Sequence, residues 1–346
     1  MELSDRERKV LEAVIQSYVE TAQPAGSGQL AKRFGLGVSP ATIRNTMSEL
    51  ETKGLLFHPH TSAGRIPTDI AYRIYVDAII TQAVHPATQF TVSERSTLAE
   101  QIAAGGSAVE AILRRAAQSL GVVTQELGVA LGPRFDRSVL QRIELVRLSS
   151  DRLLVVLTLQ PGAVRTIFVE ARGQVADAAI TEVTRVLNER LAGLTLREVR
   201  TTLAQRLRDS TPNATELLNV FVEEGEQIFD VALHPDDDVV LGQASLLAEQ
   251  PEFASADSMR RLMALTDTRQ YLADLLRQRS NASGVTITIG NEHADPTLEP
   301  FTLVTAQYRA GGLNGVIGVI GPTRMPYEKV IALVTHTSQL VSDLLE

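Results

Sequence analysis

Arg44 and Asn45 are the residues of this chain whose types and spacing most directly suggest chemistry with a ligand. An arginine can pair bidentately with guanine O6 and N7, and an asparagine with adenine N6 and N7. They lie in Ser39-Pro40-Ala41-Thr42-Ile43-Arg44-Asn45-Thr46-Met47-Ser48. Ser39, Ala41, Thr42 and Ser48 surround them with small or polar groups. Further on, His60, Thr61, Ser62 and Arg65 fall in a turn-rich segment from which a guanidinium can reach phosphate or the minor groove. This chemistry is recognition of double-stranded DNA, not the making or breaking of bonds.

Helices must hold these residues in place. Ser39 is a good N-cap, and Pro40 at the first helical position loses nothing by lacking an N–H. Ile43, Met47 and Leu50 recur at i, i+4 and i+7 and define a buried stripe. The opposite face then carries Ala41, Asn45 and Ser48, flanked by Thr42 and Arg44. Gly54, after Lys53, suits the left-handed position that ends a helix. A short amphipathic helix over Ser27–Phe34 and the turn Gly35-Leu36-Gly37-Val38 precede it, which is the helix-turn-helix pattern. A first helix is predicted from about Ser4 to Glu20, with Ser4 and Glu7 as a capping box and Val10, Leu11, Val14, Ile15, Tyr18 and Val19 inward. Leu55–Pro59 and Arg65–Pro67 read as two strands joined by His60–Gly64, which makes a wing.

Charge agrees with that reading. Residues 31–73 hold Lys32, Arg33, Arg44, Lys53, Arg65 and Arg73 against Glu49, Glu51 and Asp69, whereas the 346-residue chain carries a net charge of −8. A basic island on an acidic protein is the electrostatic footprint of a DNA-binding module. The chain has no cysteine, which excludes disulfides, thiolate metal sites and cysteine nucleophiles. The charged start MELSDRERKV lacks a signal-peptide apolar stretch, and no segment reaches the roughly 18 apolar residues of a membrane span. A cytoplasmic protein with no membrane association is expected.

SPATIRN, the SELE and GLL that follow it, PHTSAGRIPTD and YR.YVD closely resemble the HrcA family of bacterial heat-inducible transcription repressors. The likeness is dense over residues 10–77 and returns at GVIGVIGPTRMPYEKVI, residues 315–331. Pro24-Ala25-Gly26-Ser27 stands where the family usually has PVGS, and Ile70-Ala71 where it has Lys-Gly. Thr46 fills a position often acidic or apolar. The resemblance implies a homodimeric repressor of chaperone operons that binds an inverted-repeat operator. It also implies an active state maintained by the GroE chaperonin and a GAF-like domain split by an inserted dimerisation domain.

The remaining sequence supplies matching elements. A helix is predicted over Ile70–Ala83, with Tyr72, Tyr75, Val76, Ile79 and Ile80 on one face, then a linker at His85–Gln89. Ser107 and Glu110 suggest a capping box for a helix through Leu120, and Val129–Leu131 a strand. Arg142–Leu148, Arg152–Leu159 and Val164–Glu170 read as an antiparallel meander, joined at Ser149-Ser150-Asp151 and Gln160-Pro161-Gly162. Helices are predicted at 177–192, 196–209, 213–232, 256–279 and 326–345, and strands at 284–290, 301–309 and 313–320. The expected fold is α+β and multidomain: a winged helix-turn-helix (1–85), a GAF-like domain in two parts (86–140 and 238–346) and an inserted α+β dimerisation domain (141–237).

Other motifs have bland readings. His58, His60 and His85 lack the acidic or thiolate partners of a metal site. Asp236-Asp237-Asp238 lacks EF-hand spacing and reads as a solvated turn. Gly311-Gly312…Gly315…Gly318 leads into a strand and reads as hairpin punctuation. Asn213-Ala214-Thr215 matches a glycosylation acceptor without a secretory context. Arg324-Met325-Pro326-Tyr327 reads as a structural tie at the start of the last helix, with an effector surface as the alternative. No Ser/His/Asp constellation suggests catalysis, so neither an enzyme nor a cofactor is expected. The reading is a homodimeric winged-helix repressor, and the alternative is a small-molecule-responsive regulator with its ligand in the GAF-like domain.

Overall fold

The computed structural model describes residues 2–59, 64–82, 92–103, 109–133, 138–160, 163–171, 173, 175–208, 216–231, 239–267, 269–280, 282, 284–310 and 313–345. It is a mixed structure of helices and antiparallel sheets. The expectations for His60, Thr61, Ser62, His85–Gln89, Ser107, Pro161-Gly162, Asn213–Thr215, Asp236–Asp238 and Gly311-Gly312 lie outside the described residues.

The N-terminal part comprises α1 (Asp5–Thr21), α2 (Ser27–Phe34), α3 (Pro40–Thr52), β1 (Leu56–Phe57), β2 (Ile66–Pro67) and α4 (Asp69–Gln82). The capping box at α1 is formed: the Glu7 amide donates to Ser4 Oγ and the Ser4 amide donates to the Glu7 carboxylate. Ser39 caps α3 by accepting from the Thr42 amide at 3.1 Å, and Gly54 takes φ +75° beyond its end. Val10, Leu11, Val14, Ile15, Leu30, Ile43, Met47, Leu50 and Leu55 form one buried cluster. Each fully buried aliphatic side chain there stabilises the fold by about 1.5–3 kcal/mol. Thr46 is buried beside them and donates to the Thr42 carbonyl, so its hydroxyl stays satisfied. Ile80 departs from expectation: it is exposed, because at 100° per residue it has turned about 80° from Tyr72 by the end of α4.

The second part begins with α5 (Val92–Ala103), α6 (Val109–Thr124) and β3 (Leu127–Leu131). The periodicity gave no sign of α5, in which Leu98 and Ile102 alone among the described residues belong to the core. A three-stranded antiparallel sheet follows: β4 (Val139–Arg147), β5 (Arg152–Gln160) and β6 (Ala163–Glu170). The helices α7 (Asp177–Leu191), α8 (Leu196–Arg208) and α9 (Glu216–Val231) bury one face of it, against Ile143, Val155, Leu157, Ile167 and Val169. The other face is open and mixed, with the ion pairs Arg142–Glu144 and Arg152–Glu170 on either side of an apolar row. Val146, Leu154 and Phe168 form a cross-strand row, with Val164 two rows away, and Phe168 and Val164 are 74% and 60% exposed.

The chain then enters β7 (Val239–Leu241), α10 (Ser245–Ala248), α11 (Ala256–Asp267), α12 (Arg269–Arg279), β8 (Val285–Ile289), β9 (Phe301–Ala310), β10 (Leu313–Pro322) and α13 (Tyr327–Leu345). The helix expected over 256–279 is described as α11 to Asp267 and α12 from Arg269, and Thr268 between them lies outside the described residues. The sequence reading also missed β7 and α10, which are too short to show periodicity. A five-stranded antiparallel sheet has the order β7-β3-β10-β9-β8. The chain therefore leaves this sheet after β3 and rejoins it at β7, directly beside β3. On one face α6 and α13 join the N-terminal core, and α11 and α12 cover the other.

Candidate nucleic-acid interface

The outward face of α3 starts from its buried stripe. With Ile43, Met47 and Leu50 inward, helical geometry leaves Ala41, Arg44, Asn45 and Ser48 exposed, with Ser39 exposed at the cap and Thr42 half-buried. Ser39 Oγ and Thr42 Oγ1 lie 3.0 Å apart, and Ser48 Oγ donates to the Arg44 carbonyl at 3.2 Å. These short polar groups are thus satisfied locally. The Arg44 and Asn45 side chains have no hydrogen-bond or ion-pair partner among the described residues.

The other cations nearby are largely engaged. Arg33 pairs with Glu20, and Lys53 Nζ lies 2.6 Å from Glu7 Oε1. That ammonium, followed by the cap hydrogen bonds from Ser4, pulls the Glu7 carboxyl down to about 2. Arg65 was expected to reach phosphate or the minor groove. Its guanidinium lies 2.8 Å from Glu51, with the side chain 13% exposed, and also contacts His58 Nδ1 at 2.8 Å and Ser48 Oγ at 3.5 Å. It therefore ties the β1–β2 hairpin to α3. Ala25 and Arg65 exchange backbone hydrogen bonds, which anchors the hairpin base to the segment before α2. Of the expected wing residues only Arg65 is described. His58, considered as a metal ligand, is also within 3.2 Å of the Gly64 carbonyl.

A set of contacts that the sequence reading missed fixes this unit to the five-stranded sheet through α4. Arg73 Nε donates to Glu292 at 2.6 Å, and its terminal nitrogen donates to the Ile287 carbonyl at 2.8 Å. Asp69 accepts from the Asn291 backbone and side chain at 3.0 and 2.9 Å. Gly290, at φ +51°, is required there, because a Cβ would overlap the Asp69 carboxylate. Tyr72 stacks in tilted fashion on Tyr327 with centroids 5.6 Å apart, and Tyr75 donates to Glu328 at 3.1 Å. Arg324 pairs with Glu252 and donates to the Val19 carbonyl at 2.7 Å, so the Arg324–Tyr327 cluster ties α1 and α4 to the start of α13. Its partners are 72 and 305 residues away in sequence, too far for any local pattern to reveal them.

Residues 110–331 match the family model described as the HrcA protein C terminal domain. Over 348 residues the chain is 39% identical to the heat-inducible transcription repressor HrcA of Chlorobium phaeobacteroides, covering 99% of this chain and 98% of that one. It is 38% identical to the repressor of the same name from Geobacter sulfurreducens, covering 100% and 99%. The chain belongs to the HrcA family. The crystal structure of a hypothetical protein at 2.2 Å resolution shares the fold across 99% of both chains, with a TM-score of 0.72 and 23% identity. HrcA is a family of heat-inducible transcription repressors and not of enzymes, so this chain falls within transcription regulation and the heat-shock response. Among the described residues no helix is long and apolar enough to cross a membrane.

Proposed function

We propose that this HrcA-family chain represses heat-shock chaperone operons by binding an inverted-repeat operator as a homodimer. The observation that carries the reading is the outward face of α3, where Arg44 and Asn45 stand exposed, with no partner among the described residues, on a capped helix next to a two-stranded hairpin. A winged helix-turn-helix uses that face in the major groove. Arg44 and Asn45 read base edges, while Ser39, Ala41, Thr42 and Ser48 allow close approach. His60, Thr61, Ser62 and Arg65 form the wing.

The dimer uses the open face of β4–β6. A protein with two-fold symmetry needs a self-complementary patch, and the row Val146–Leu154–Phe168 offers apolar surface that the described residues leave open. In this reading residues 141–237 are the inserted dimerisation domain, and 86–140 with 238–346 form a GAF-like domain. Repression acts in the cytoplasm by operator occupancy. A marginally stable DNA-competent dimer, maintained by a GroE-type chaperonin, would lose that occupancy on heating.

The test is fluorescence anisotropy with a chaperone-operon inverted repeat and a scrambled control, at one physiological salt concentration, with and without chaperonin. Tight binding that needs both half-sites, with an active fraction raised by chaperonin, is the expected result. Equal weak binding to both DNAs by folded protein would remove the reading.

A further inference from the structure

Arg279, at the end of α12, is a cation with no counter-ion among the described residues. Its side chain lies over the five-stranded sheet where β8 forms the edge, and burial lowers its pKa to about 10. All its hydrogen-bond acceptors are neutral. One terminal nitrogen donates to Thr288 Oγ1. The other is shared among the Thr286 carbonyl, the Leu303 carbonyl and Thr305 Oγ1 at 3.4, 3.5 and 3.5 Å. Those three distances are at the weak limit of hydrogen bonding. No carboxylate pairs with Arg279 among the described residues, although ion pairs hold most other arginines near the sheet and α4.

The surroundings are built for a small polar group. Thr286, Thr288 and Arg279 are half-buried and therefore reachable from solvent, while Thr305 is buried beneath them. His293 sits alongside and donates from Nε2 to the Phe301 carbonyl at 3.2 Å. Desolvation, and then the positive charge of Arg279, hold its imidazole below the ordinary range. Apolar residues fill much of this sheet face, with Phe301, Leu303, Val316 and Ile320 in one cluster with Leu272 and Leu276. An uncompensated guanidinium at such a place costs stability unless something pairs with it. A guanidinium fork with hydroxyls beside it suits an oxyanion.

We propose that Arg279 and Thr288, with Thr305 beneath and His293 alongside, form a binding site for a small oxyanion, the carboxylate or phosphate group of an effector. Its place in the fold gives it a route to the DNA-facing unit. Thr286 and Thr288 face α12, whereas Val285, Ile287 and Ile289 of the same strand pack in the core shared with α4. The Ile287 carbonyl and Glu292, just beyond the strand, hold Arg73 of α4. An anion that pulls Arg279 off its strand acceptors therefore acts on the element that orients α4. This coupling rests on reading α3 as the DNA-facing helix, but the binding site does not.

The test is a thermal-unfolding titration of the full chain with inorganic phosphate and, separately, acetate, each at ionic strength matched with chloride. A saturable rise in Tm is expected with at least one of them. It should be absent in Arg279→Met, and in Thr288→Val, which keeps the charge, it should need about tenfold more anion. Which probe acts identifies the group recognised. A clamp that merely fastened α12 to the sheet would make ligand-free Arg279→Met melt lower, whereas a site waiting for an anion leaves its Tm equal or higher. Tm that follows ionic strength alone for both probes, or a saturable rise that survives in Arg279→Met, overturns the site. Operator anisotropy in the same titration tests the coupling separately: a bound anion that leaves operator affinity unchanged removes the coupling.

Discussion

Two surfaces of this molecule are left open, and they differ in chemistry. The outward face of α3 is small and polar, with Arg44 and Asn45 unpartnered among the described residues, and the hydroxyls around them are satisfied within the helix. The open face of β4–β6 carries Val146, Leu154, Val164 and Phe168. Leaving an arginine and an asparagine in water costs little, so the α3 face is stable while it waits for a charged, hydrogen-bonding partner. Leaving Phe168 in water forfeits burial at roughly 25 cal/mol per Å² of apolar area. In the proposed reading the first surface meets DNA and the second meets a copy of itself. Only the second is expected to be covered at all times.

The comparison can be broken most forcefully at the sheet. Phe168→Asp places a charge at the exposed β6 end of the apolar row and should convert a dimer to monomers in sedimentation equilibrium. Operator affinity should fall at least 100-fold, because each half-site is then bound alone. A Phe168→Asp protein that sediments as wild type would show that this face is not the interface. At the other surface, Asn45→Ala or Arg44→Ala should cost about 1–3 kcal/mol of specific binding and relax base preference at one position, read by competition with single-base operator variants. Full discrimination by Asn45→Ala would mean that α3 presents a different face.

A smaller effect distinguishes two roles for Arg65. If it leaves Glu51 to contact phosphate, Arg65→Ala lowers the slope of log affinity against log salt by about one. If it remains the tie between the hairpin and α3, affinity drops with the slope unchanged, and Glu51→Gln mimics it. Smallest is the pH effect at the base of the same unit. The folded pKa of Glu7 is depressed to about 2, below its ordinary value of 4.5. Its stabilising contribution is therefore complete above about pH 4.5 and is lost as pH falls toward 2. Glu7→Gln should flatten that part of the profile of Tm against pH relative to wild type.

The N-terminal unit was legible almost to the residue, because its signals are local. Ser4 with Glu7, Ser39 with Pro40, Gly54, and the stripe Ile43–Met47–Leu50 each act within a few positions, and the structure places them as read. The meander was legible for the same reason, through alternation and turn chemistry. Local signals failed where they are weak. Among the described residues of α5 only Leu98 and Ile102 reach the core, and β7 is three residues long. For the outward face of α3, helical periodicity alone identified the exposed residues. For Arg65, charge suggested a free cation and could not reveal that Glu51 lies within reach.

By itself, then, the sequence determined the helices and caps of the N-terminal unit, the polar face of α3, the meander and the family to which the chain belongs. Periodicity, capping and motif density are properties of neighbouring residues. Tertiary structure alone decided that β3 and β7 lie side by side across the stretch between them, that Arg73 meets Glu292 and Arg324 meets Val19, and that Arg279 has no counter-ion among the described residues. Each depends on which distant groups the folded chain brings together and how far it removes them from water, and no local pattern encodes either.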